Sequence, residues 1–579
     1  MNMNTLIHVT HEAVQKVGGI GAVLQGFFTA KAYNASVPRS ILIGPGDGGQ
    51  QELLAKAGKV LYSSLTGTDE GGWGNRFRPI QERFGVGIIY GRRPFKDRTT
   101  GVESSPEVLL IDVSHPNLDR LGEAKRVLYE RFGIRSDLYH TWEYEQYVRL
   151  AAPALAAAHA MGAAEKGPAI ILAHEFMGMP TVLLALATGD RAFRTVFYAH
   201  EVATMRRIVE GHPGHDTMFY NVLAQAMAKG KFVEDVFGLQ APFFKHSLVS
   251  AARFCDAILC VGDHTLSEMK FMGADFADKN LRLAYNGVPA YDVSYDDVMQ
   301  SKGRLQQYTQ KILEFKPDFI FSHVTRMALS KGMWRDLKVL WHLEKQFRES
   351  GHTGVFYLLS SELGAPRKGH EVLDMEARYS WPVGHREGYP DLSGGEADFY
   401  VHIQKFNACA RQIKVILVNQ FGWSTAACGS AMAPEMDFLD IRKGTDIEFG
   451  QSIYEPFGIA QLEPLSFGGM CVITNVCGCA GFVEKVTGGK PVPNVLVADY
   501  TQLPKGNGTL DNVLAIGSHE RDVAEEREAD RVAIEILKRL PKDRVAQEKL
   551  IKDGVDLAQK MSWEVVSRDY LMPALNAIK

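Results

Sequence analysis

The sequence lacks several features that would assign a protein class at once. Its 579 residues carry a formal net charge of only −4, so we expect no broad basic surface and no nucleic acid as the main partner. The N-terminal residues, MNMNTLIHVT, have neither the basic region nor the long apolar segment of a signal peptide. The longest apolar runs are short or interrupted, which predicts no transmembrane helix. We therefore expect a cytoplasmic protein without a membrane partner.

Cysteine is scarce, with seven residues in the whole chain. An odd number in a long chain is unlike the disulfide framework of a secreted protein. The only cluster, CVITNVCGC, contains Cys471, Cys477 and Cys479 and has no second pair of ligands nearby. Buried free thiols are therefore a better interpretation than a zinc site. No DxD-like acid pair suited to a metal ends a predicted strand, so we expect no metal.

Short apolar runs are abundant, and each leads to glycine or polar residues and then to a helical pattern. Runs that are apolar on both faces suit buried parallel strands, and their alternation with helices favours an α/β sheet. The first series is LIHV, SILIGP, VLLIDV, AIILAHE, TVFYAHE and AILCVGD, and the second is FIFSHV, VFYLLS, KVILVN, MCVIT and NVLVAD. Because the chain is too long for one ordinary core, we predict two doubly wound, Rossmann-like domains, each with its own parallel sheet.

The predicted boundary lies in a polar, tyrosine-rich segment at residues 291–318. We assign residues 1–295 to an N-terminal domain and residues 296–560 to a C-terminal domain. Residues 561–579 are expected to form a helix that packs back on the N-terminal domain. The irregular segment 364–411 is interpreted as an insertion on the second domain.

The stretch HEAVQKVGGIGAVLQGFF follows the first predicted strand, and its apolar residues have helical spacing. Gly18 and Gly19 stand where this helix would begin. Free N–H groups and a partial positive charge at a helix start attract anions, and Lys16 can add a full charge. A tight turn with a solvated lysine explains the same residues, and from this stretch alone it is the favoured interpretation. An NAD-binding turn is not favoured, because a full GxGxxG is missing.

A pair of cations follows the first strand of the second series, in FSHVTRMALSKGMW. Arg326 and Lys331 lie in a loop after the carboxyl end of that strand, where ligands bind in open α/β sheets. A guanidinium can contact two phosphate oxygens, and an ammonium supplies a mobile point charge. An exposed pair of cations on a surface loop is an equally good interpretation.

Two glutamates separated by seven residues flank a Pro-Phe-Gly turn in YEPFGIAQLEPLSFGG. If a helix begins near Phe457, Glu463 lies on its early turns and Glu455 in the loop before it. Carboxylates can each accept two hydrogen bonds from the hydroxyls of a ribose or a hexose. Alternatively, both acids only complement the positive end of the helix dipole. Pro464 would remove one hydrogen bond from such a helix.

Two histidines, His174 in AHEFMG and His200 in YAHEVATMRR, end apolar strands of the first series. A single histidine at a strand end is often satisfied by the backbone. Two at the carboxyl ends of neighbouring strands favour a position at a ligand site.

Together these motifs resemble the glycogen and starch synthases, which are retaining glycosyltransferases of the GT-B architecture. HEAVQKVGGIGAVLQ is similar to the family's Lys-x-Gly-Gly opening, and YEPFGIAQLE is similar to its glutamate-x7-glutamate motif. The first of these and TNVCGCAGFVE are most similar to the animal and fungal branch. HEFMG, VFYAHE, YNGVP and the pair of cations lie between them in the family's order, so the matches extend from residue 8 to about residue 485.

The resemblance implies a GT-B fold, with two Rossmann-like domains facing a deep interdomain cleft that binds a nucleoside diphosphate glucose. It also implies a set of phosphate-facing groups, namely Lys16, Gly18, Gly19, Arg326 and Lys331.

On the sugar side, the resemblance places Glu463 on the ribose and both Glu455 and His200 on the transferred glucose. Glu455, His200 and the two cations of the second domain would form the catalytic set, and Gly458 would belong to the donor site. The remaining cleft candidates are His174, Glu175, Arg206 and Asn286, the last at the interdomain hinge.

The activity implied is transfer of glucose from UDP-glucose or ADP-glucose to the non-reducing end of an α-1,4-glucan, without a cofactor. Because the motifs bind the donor, a transferase with a small acceptor, forming sucrose, trehalose or a glycoside, remains an alternative. A catalytically silent protein that binds glucan or nucleotide sugar is another, and a homo-oligomer is compatible with either.

The sequence departs from the animal and fungal branch in two places. Pro464 stands where many relatives have a small helix former. The dense C-terminal arginine run that senses a sugar phosphate is absent, since Arg521, Arg527, Arg531 and Arg539 are scattered among acids. Activation by glucose 6-phosphate is therefore not expected.

Overall fold

A computed structural model describes residues 4–578 except 17, 98–99, 190, 278, 362–373, 375–376, 379–391, 393, 420–421 and 504–508. The chain divides into two compact units. The first comprises Met1–Arg206, Ala226–Gly287 and Trp563–Lys579, and the second comprises Arg207–Gln225 and Val288–Ser562.

The first unit is built on a sheet of ten strands, in the order β12-β11-β10-β9-β1-β2-β8-β5-β3-β4, with a separate two-stranded hairpin, β6-β7. The strands are β1 Thr5–Val9, β2 Arg39–Pro45, β3 Lys59–Ser63, β4 Thr68–Asp69, β5 Gly87–Arg92, β6 Phe95–Lys96, β7 Glu103–Ser104, β8 Glu107–Asp112, β9 Ala169–His174, β10 Phe193–Ala199, β11 Ala257–Cys260 and β12 Leu281–Leu283.

Helices fill the connections between these strands. In chain order they are Gly19–Phe28, Lys31–Ser36, Gly48–Ala57, Gly74–Phe84, Leu118–Phe132, Trp142–Ala160, Glu175–Ala187, Val233–Phe237, Phe244–Ser250 and Asp263–Phe271, with Trp563–Val566 and Met572–Asn576 near the C-terminus. Two further helices, Ala203–Gly211 and His215–Ala228, lie mostly in the second unit. Short 3-10 helices cover Ser136–Leu138, Ala251–Phe254 and Ala274–Phe276, and a π-helical turn covers Ser567–Leu571.

One edge of this first sheet differs from the parallel sheet predicted. The six strands of the first apolar series form and pair in parallel, but β5 pairs antiparallel with β8, and β3 pairs antiparallel with β5. A hairpin, not a helix, connects β5 to β8, and without a crossover the two strands run in opposite directions. The pattern of an apolar run followed by a helix therefore did not mark β5.

The second unit has a six-stranded sheet in the order β15-β14-β13-β16-β17-β18. Every neighbouring pair is parallel, as predicted. The strands are β13 Phe319–Thr325, β14 Gly354–Ser360, β15 Ile413–Asn419, β16 Ile447–Gly450, β17 Met470–Thr474 and β18 Val495–Ala498. The helices are Tyr295–Leu313, Met333–Ser350, Gly395–Cys409, Thr425–Cys428, Phe438–Gly444, Ile459–Leu462, Gly478–Thr487, Leu510–Leu514, Ser518–Arg539 and Arg544–Lys560, with 3-10 helices at Leu329–Lys331 and Glu463–Phe467.

Alternate residues of β13 explain why its first three residues are all apolar. Phe319 and Phe321 belong to one buried cluster, whereas Ile320 and Val324 belong to another. Successive side chains of a strand point to opposite faces, so both faces of this sheet are covered. This is the arrangement typical of a parallel sheet with helices on both sides.

The segment 207–225 groups with the second unit, although the prediction placed residues 1–295 together. Its contacts give the physical reason. Asp216 is fully buried and accepts two hydrogen bonds from Arg335 at 2.6 and 2.9 Å. Thr217 Oγ1 donates to the carbonyl of Tyr500 at 2.9 Å. These partners are separated from the segment by more than a hundred residues, so no local pattern announces them.

Three further boundaries can be compared with the prediction. The first unit's central segment ends at Gly287, eight residues before the predicted boundary at 295, and Trp563–Lys579 belongs to the first unit. Much of the predicted insertion 364–411 lies outside the described residues, and its last part forms the helix Gly395–Cys409.

Candidate functional site

Three loops lie together at the carboxyl end of the second unit's sheet. They follow β13, β16 and β17, which are adjacent strands. The carbonyl of Ser330 accepts a hydrogen bond from the N–H of Ile453 at 2.8 Å, and the carbonyl of Glu455 accepts one from the N–H of Gly478 at 3.0 Å. Backbone hydrogen bonds therefore fix these loops to one another, at the sheet edge where open α/β folds bind ligands.

Lys331 and Glu455 form an ion pair in this loop cluster. Lys331 Nζ donates to Glu455 Oε2 at 2.5 Å, and only 14% and 12% of the two side chains are exposed. Gln461 Nε2 faces the same oxygen at 3.4 Å. The sequence predicted that each of the two charged groups contacts a ligand, but it did not predict that they contact each other.

Arg326 comes directly after β13 and is exposed. Within the described part of the chain, its guanidinium has no hydrogen-bond or ion-pair partner. Its carbonyl accepts from the N–H of Ala328 at 2.8 Å and so turns the chain towards Lys331. Gly332 follows at φ +60°, where an added Cβ would lie 2.3 Å from the carbonyl oxygen of Gln451. Only glycine fits that position, which fixes the end of the loop that carries both cations.

Gly458 sets the start of the helix after Glu455. It has φ +94° and caps Ile459–Leu462, so that helix begins two residues later than the predicted start near Phe457. An added Cβ at Gly458 would lie 2.6 Å from Gln461 Oε1 and 3.1 Å from Glu455 Cγ. The left-handed conformation and the close approach both require glycine.

Glu463 is oriented by a buried arginine that the sequence analysis did not identify. Arg442 Nε and Nη2 donate to Glu463 Oε2 at 3.0 and 2.6 Å, and Arg442 Nη1 lies 3.1 Å from Glu448. Burial alone would lower the pKa of Arg442, but the charges of Glu448 and Glu463 raise it. The side chain of Glu463 is 28% exposed, and among the described residues its Oε1 has no hydrogen-bond partner. One oxygen is thus anchored while the other faces outward.

The local geometry around Pro464 is that of a change in helix type. The α-helical turn Ile459–Leu462 leads into the 3-10 helix Glu463–Phe467, with the proline in its first turn. A proline near a helix start has no N–H that needs a partner, so it fits there without strain.

A buried network lies behind the loop that carries Glu455. Gln451 donates to Asp336 at 2.9 Å and accepts from the hydroxyl of Tyr500 at 2.5 Å. Arg335, fully buried, donates to Glu525 at 2.8 Å and stacks 4.1 Å from the centre of the Tyr500 ring. The backbone before Glu455 is therefore held by groups from the helix Met333–Ser350 and from the C-terminal part of the unit.

In the first unit, the glycine-flanked helix start already faces a carboxylate. The N–H of Gly18 donates to Glu12 Oε2 at 2.7 Å, and Glu12 is only 1% exposed. Gly19 is the first helical residue, and a Cβ added there would meet nothing within 4 Å. Lys16 is exposed, and its ammonium has no partner in the part of the unit that the structure describes.

The two strand-end histidines are in contact. His174 Nδ1 and His200 Nε2 are hydrogen-bonded at 2.8 Å, with their rings stacked, and His174 Nε2 and His8 Nδ1 are hydrogen-bonded at 2.9 Å. Burial lowers the pKa values of His8 and His200 to about 3, and burial with the neighbouring histidines lowers that of His174 well below its usual value. At neutral pH all three imidazoles are therefore uncharged.

Glu175 is a strained acid next to this cluster. It is 4% exposed and has φ +60°, a conformation that is uncommon for a residue with a side chain. Its Oε1 accepts from the N–H of Glu201 at 2.6 Å, and its Oε2 is buried without a hydrogen-bond partner among the described residues. Burial, and then the charge of Glu201, raise the pKa of Glu175 well above its usual value. Arg206 forms an ion pair with Glu201.

Asn286 is buried immediately before Gly287, the last residue of the first unit's central segment. Its Oδ1 has no hydrogen-bond partner within the described part of the chain. An added Cβ at Gly287 would lie 2.7 Å from Trp563, so the backbone passes that ring closely. A hinge role for Asn286 stays a prediction.

Other features of the described residues concern metal, membrane and thiol chemistry. No group of three or more His, Cys, Asp or Glu side chains among them is placed to hold a metal ion, and the prediction of metal-free chemistry stays a prediction. None of the described helices is both long and apolar enough to cross a membrane. Cys471, Cys477 and Cys479 are free and buried, as predicted.

Known structures share this fold. The catalytic domain of starch synthase IV from Arabidopsis thaliana, bound to ADP and acarbose, is 14% identical in sequence to this chain. Its TM-score is 0.53, and the match covers 100% of each chain. Sucrose-phosphate synthase from Thermosynechococcus elongatus is 11% identical with a TM-score of 0.51, covering 99% of this chain and 98% of that one. A trehalose-6-phosphate structure from E. coli, bound with UDP-2-fluoro glucose, is 12% identical with a TM-score of 0.50, covering 99% of both.

These similarities confirm the predicted α/β fold of the GT-B class. No protein-family model matches the chain, and no curated protein matches it. At identities of 11 to 14% the likeness is one of fold, so the assignment of chemistry rests on the residues themselves.

Four residues at these sites escaped the sequence analysis. Arg442 contacts Glu463, which lies 21 residues away and is brought near by the fold. Gln461 lies six residues from Glu455, with no spacing that marks it as a partner. Glu12 lies six residues before Gly18, with no spacing that marks it as a partner. His8 did carry a signal, because it is a polar residue inside an otherwise apolar strand.

Proposed function

We propose that the protein is a retaining glucosyltransferase that moves glucose from a nucleoside diphosphate glucose to an α-glucan. The observation that carries the proposal is the loop cluster of the second unit. It combines the guanidinium of Arg326, which has no partner among the described residues, with the Lys331–Glu455 pair at the carboxyl end of a parallel sheet. Cations and a carboxylate at one sheet edge suit a ligand that has both phosphates and hydroxyls.

The difficult step in such a reaction is departure of the diphosphate. Cleavage of the anomeric bond leaves an oxocarbenium-like sugar and places new negative charge on the leaving oxygen. Arg326 and Lys331 would stabilise that charge as preorganised donors, an effect worth on the order of 3 kcal/mol per donor. The acceptor hydroxyl would attack from the face that the diphosphate leaves and would give its proton to a phosphate oxygen. The new bond then keeps the donor's configuration.

The two glutamates have separate roles in this proposal. Glu455, paired with Lys331, would accept hydrogen bonds from the transferred glucose. Glu463, anchored through one oxygen by Arg442, would offer the other to the ribose hydroxyls. Each glutamate has its own cation, which is unlike the acid and nucleophile of a glycosidase, where both carboxyls flank a single bond.

The proposal extends to the first unit. There, Lys16 with Gly18 and Gly19 would face phosphate oxygens, although the N–H of Gly18 is engaged by Glu12 in this structure. His200 would donate a hydrogen bond to a sugar hydroxyl. The similarity of HEAVQKVGGIGAVLQ to the animal and fungal glycogen synthases makes glycogen the first acceptor to test.

A second candidate is transfer to a small phosphorylated sugar. The matches to the sucrose-phosphate synthase and to the trehalose-6-phosphate structure each cover 99% of this chain. The match to the starch synthase domain covers 100% of it. The residues on which the proposal rests act on the donor, and they fit both kinds of acceptor.

The test is a matrix of donors and acceptors that follows release of nucleoside diphosphate by the purified protein. UDP-glucose and ADP-glucose are each combined with glycogen, glucose 6-phosphate or fructose 6-phosphate. Release that depends on glycogen supports the first proposal, and release that depends on a sugar phosphate supports the second. No release with any combination would overturn both.

A matched pair of variants separates specific from general effects. Arg326→Met should reduce the rate at least 100-fold. Arg544→Met, which changes an exposed arginine of the second unit, should leave the rate unchanged.

A further inference from the structure

A continuous hydrogen-bonded chain crosses the first unit's sheet behind His200. From His200 it passes to His174 at 2.8 Å, to His8 at 2.9 Å, to the hydroxyl of Tyr33 at 2.9 Å and to Ser40 Oγ at 2.9 Å. The last residue lines a cavity of about 580 Å³. Three side chains of the chain, His8, His174 and Tyr33, are at most 1% exposed, so few other partners can compete for their polar atoms.

The chain restricts where hydrogens can be. A neutral imidazole carries one N–H and one bare nitrogen, and each N···N contact needs one hydrogen between its two nitrogens. Burial keeps all three imidazoles neutral. Every ring must therefore donate in the same direction along the chain, and only two orders are possible. In one order His200 carries its hydrogen on Nδ1, and in the other it carries it on Nε2.

The hydroxyl of Tyr33 decides between these orders. It always brings a hydrogen, because burial raises the pKa of Tyr33 further above its usual value. A phenol is a better donor than an aliphatic hydroxyl, and a bare imidazole nitrogen is a better acceptor than a hydroxyl oxygen. Tyr33 therefore donates to His8 Nε2, while Ser40, whose hydroxyl rotates freely, donates to Tyr33. His8 then donates through Nδ1 to His174, and His174 donates through Nδ1 to His200 Nε2.

We propose that Tyr33, His8 and His174 are positioning residues that hold His200 as the Nδ1–H tautomer. His200 Nδ1 has no hydrogen-bond partner among the described residues, so this N–H is available to donate to an oxygen of a bound sugar. In the reverse order, His200 Nδ1 would carry no hydrogen. Its lone pair would then repel the oxygen of a hydroxyl group, unless that group turned to donate its own hydrogen. This inference deepens the proposed function and rests on it for the identity of the ligand. The tautomer of His200 does not depend on the proposed function.

The experiment is 15N NMR of the full-length protein with 15N-labelled histidine side chains, recorded without any substrate. The signals of His200 are identified by their loss in His200→Gln. In the wild type we expect His200 to be protonated at Nδ1. In Tyr33→Phe the terminal donor is lost, and we expect His200 to become a mixture of both tautomers. Protonation of wild-type His200 at Nε2, or an unchanged tautomer in Tyr33→Phe, would overturn the inference.

Tyr198→Phe is the matched control. Tyr198 is fully buried, its hydroxyl donates to the carbonyl of Ala284 at 2.9 Å, and its ring lies 4.3 Å from that of His200, but it is not part of the chain. It should leave the tautomer of His200 unchanged. If Tyr33→Phe does not fold, His8→Asn interrupts the chain at its centre and should give the same mixture, and an unchanged His200 signal there contradicts the inference equally.

A kinetic measurement connects the tautomer to the reaction. With whichever donor and acceptor the wild type uses, Tyr33→Phe should lower kcat about tenfold or more with little change in KM, as expected when a histidine takes the wrong tautomer. Absence of transfer by the wild type would count against the proposed function alone, because the NMR result needs no substrate. An altered tautomer with unchanged kcat would overturn the role assigned to the chain.

Discussion

Lys331 donates to Glu455 across 2.5 Å, although the two residues are 124 positions apart in the chain. They meet because β13 and β16 are adjacent parallel strands, so the loops after them share one edge of the sheet. The pair keeps both charges partly out of water.

Glu455→Gln should fold normally and lose most turnover. The amide keeps the shape of the side chain but removes the negative charge that holds Lys331 and that we propose orients the sugar hydroxyls. We expect kcat to fall about 100-fold, corresponding to about 3 kcal/mol. Circular dichroism checks the fold, and release of nucleoside diphosphate checks the rate. Near-normal transfer by this variant would remove Glu455 from the active site.

Glu463→Gln should act on donor binding and not on the chemical step. Its outward Oε1 is proposed to accept from the ribose, and a hydrogen bond to a charged group contributes about 1.5–3 kcal/mol. The KM for the nucleotide sugar should therefore rise tenfold or more while kcat changes little. Glu484→Gln, on a helix of the same unit, serves as a control. A large fall in kcat with an unchanged KM would contradict the role given to Glu463.

Arg335→Met should destabilise the protein strongly. The variant leaves Asp216 buried without its cation and removes one of the two cations of Glu525, which keeps Lys338. Removing one partner of such a buried network costs about 3–5 kcal/mol. Urea unfolding of the variant and the wild type measures the difference. Arg544→Met, which breaks an exposed pair with Glu548, should change the free energy of unfolding by less than about 1 kcal/mol. Equal effects of the two substitutions would refute this account.

Local patterns predicted those parts of the molecule that depend on local sequence. The eleven apolar runs all became strands because a buried parallel strand is apolar on both faces. Arg326 and Lys331 could be predicted at the carboxyl end of β13, because ligands bind beyond strand ends in open α/β sheets. The strand before Glu455, β16, was not among the predicted runs. The antiparallel pairing of β5 with β8, by contrast, depends on a hairpin connection that gives no helical signal.

Partners chosen by the tertiary fold could not be predicted in the same way. Arg442 lies 21 residues from Glu463, and Asp216 lies 119 residues from Arg335. Each of these arginines resembles any solvated arginine in the sequence, and only burial gives it a specific partner. The hydrogen-bonded chain of histidines could be predicted only in part. His174 and His200 were predicted to lie at the ends of neighbouring strands, whereas His8 was predicted only as part of a strand.

Acid should destabilise the first unit through its buried histidines. The pKa of His8 is about 3 in the folded protein, against 6.5 in the unfolded chain. Between these values the unfolded chain binds more protons, so stability is complete above pH 6.5 and is lost as the pH falls towards 3. At pH 5 the loss from His8 is about 2 kcal/mol, and His174, whose pKa is also lowered, adds to it. Glu175 acts in the opposite direction, because its raised pKa favours the folded state in acid.

The contribution of His8 can be isolated by comparing slopes. Between pH 6 and pH 4, the free energy of unfolding of His8→Asn should depend on pH less steeply than that of the wild type, by up to about 1.4 kcal/mol per pH unit. His140→Asn, which changes an exposed histidine, should keep the wild-type slope. Urea unfolding at several pH values measures all three proteins. A slope that is the same with and without His8 would mean that this histidine takes up its proton as readily in the folded protein as in the unfolded chain, and the neutral hydrogen-bonded chain would then have no basis.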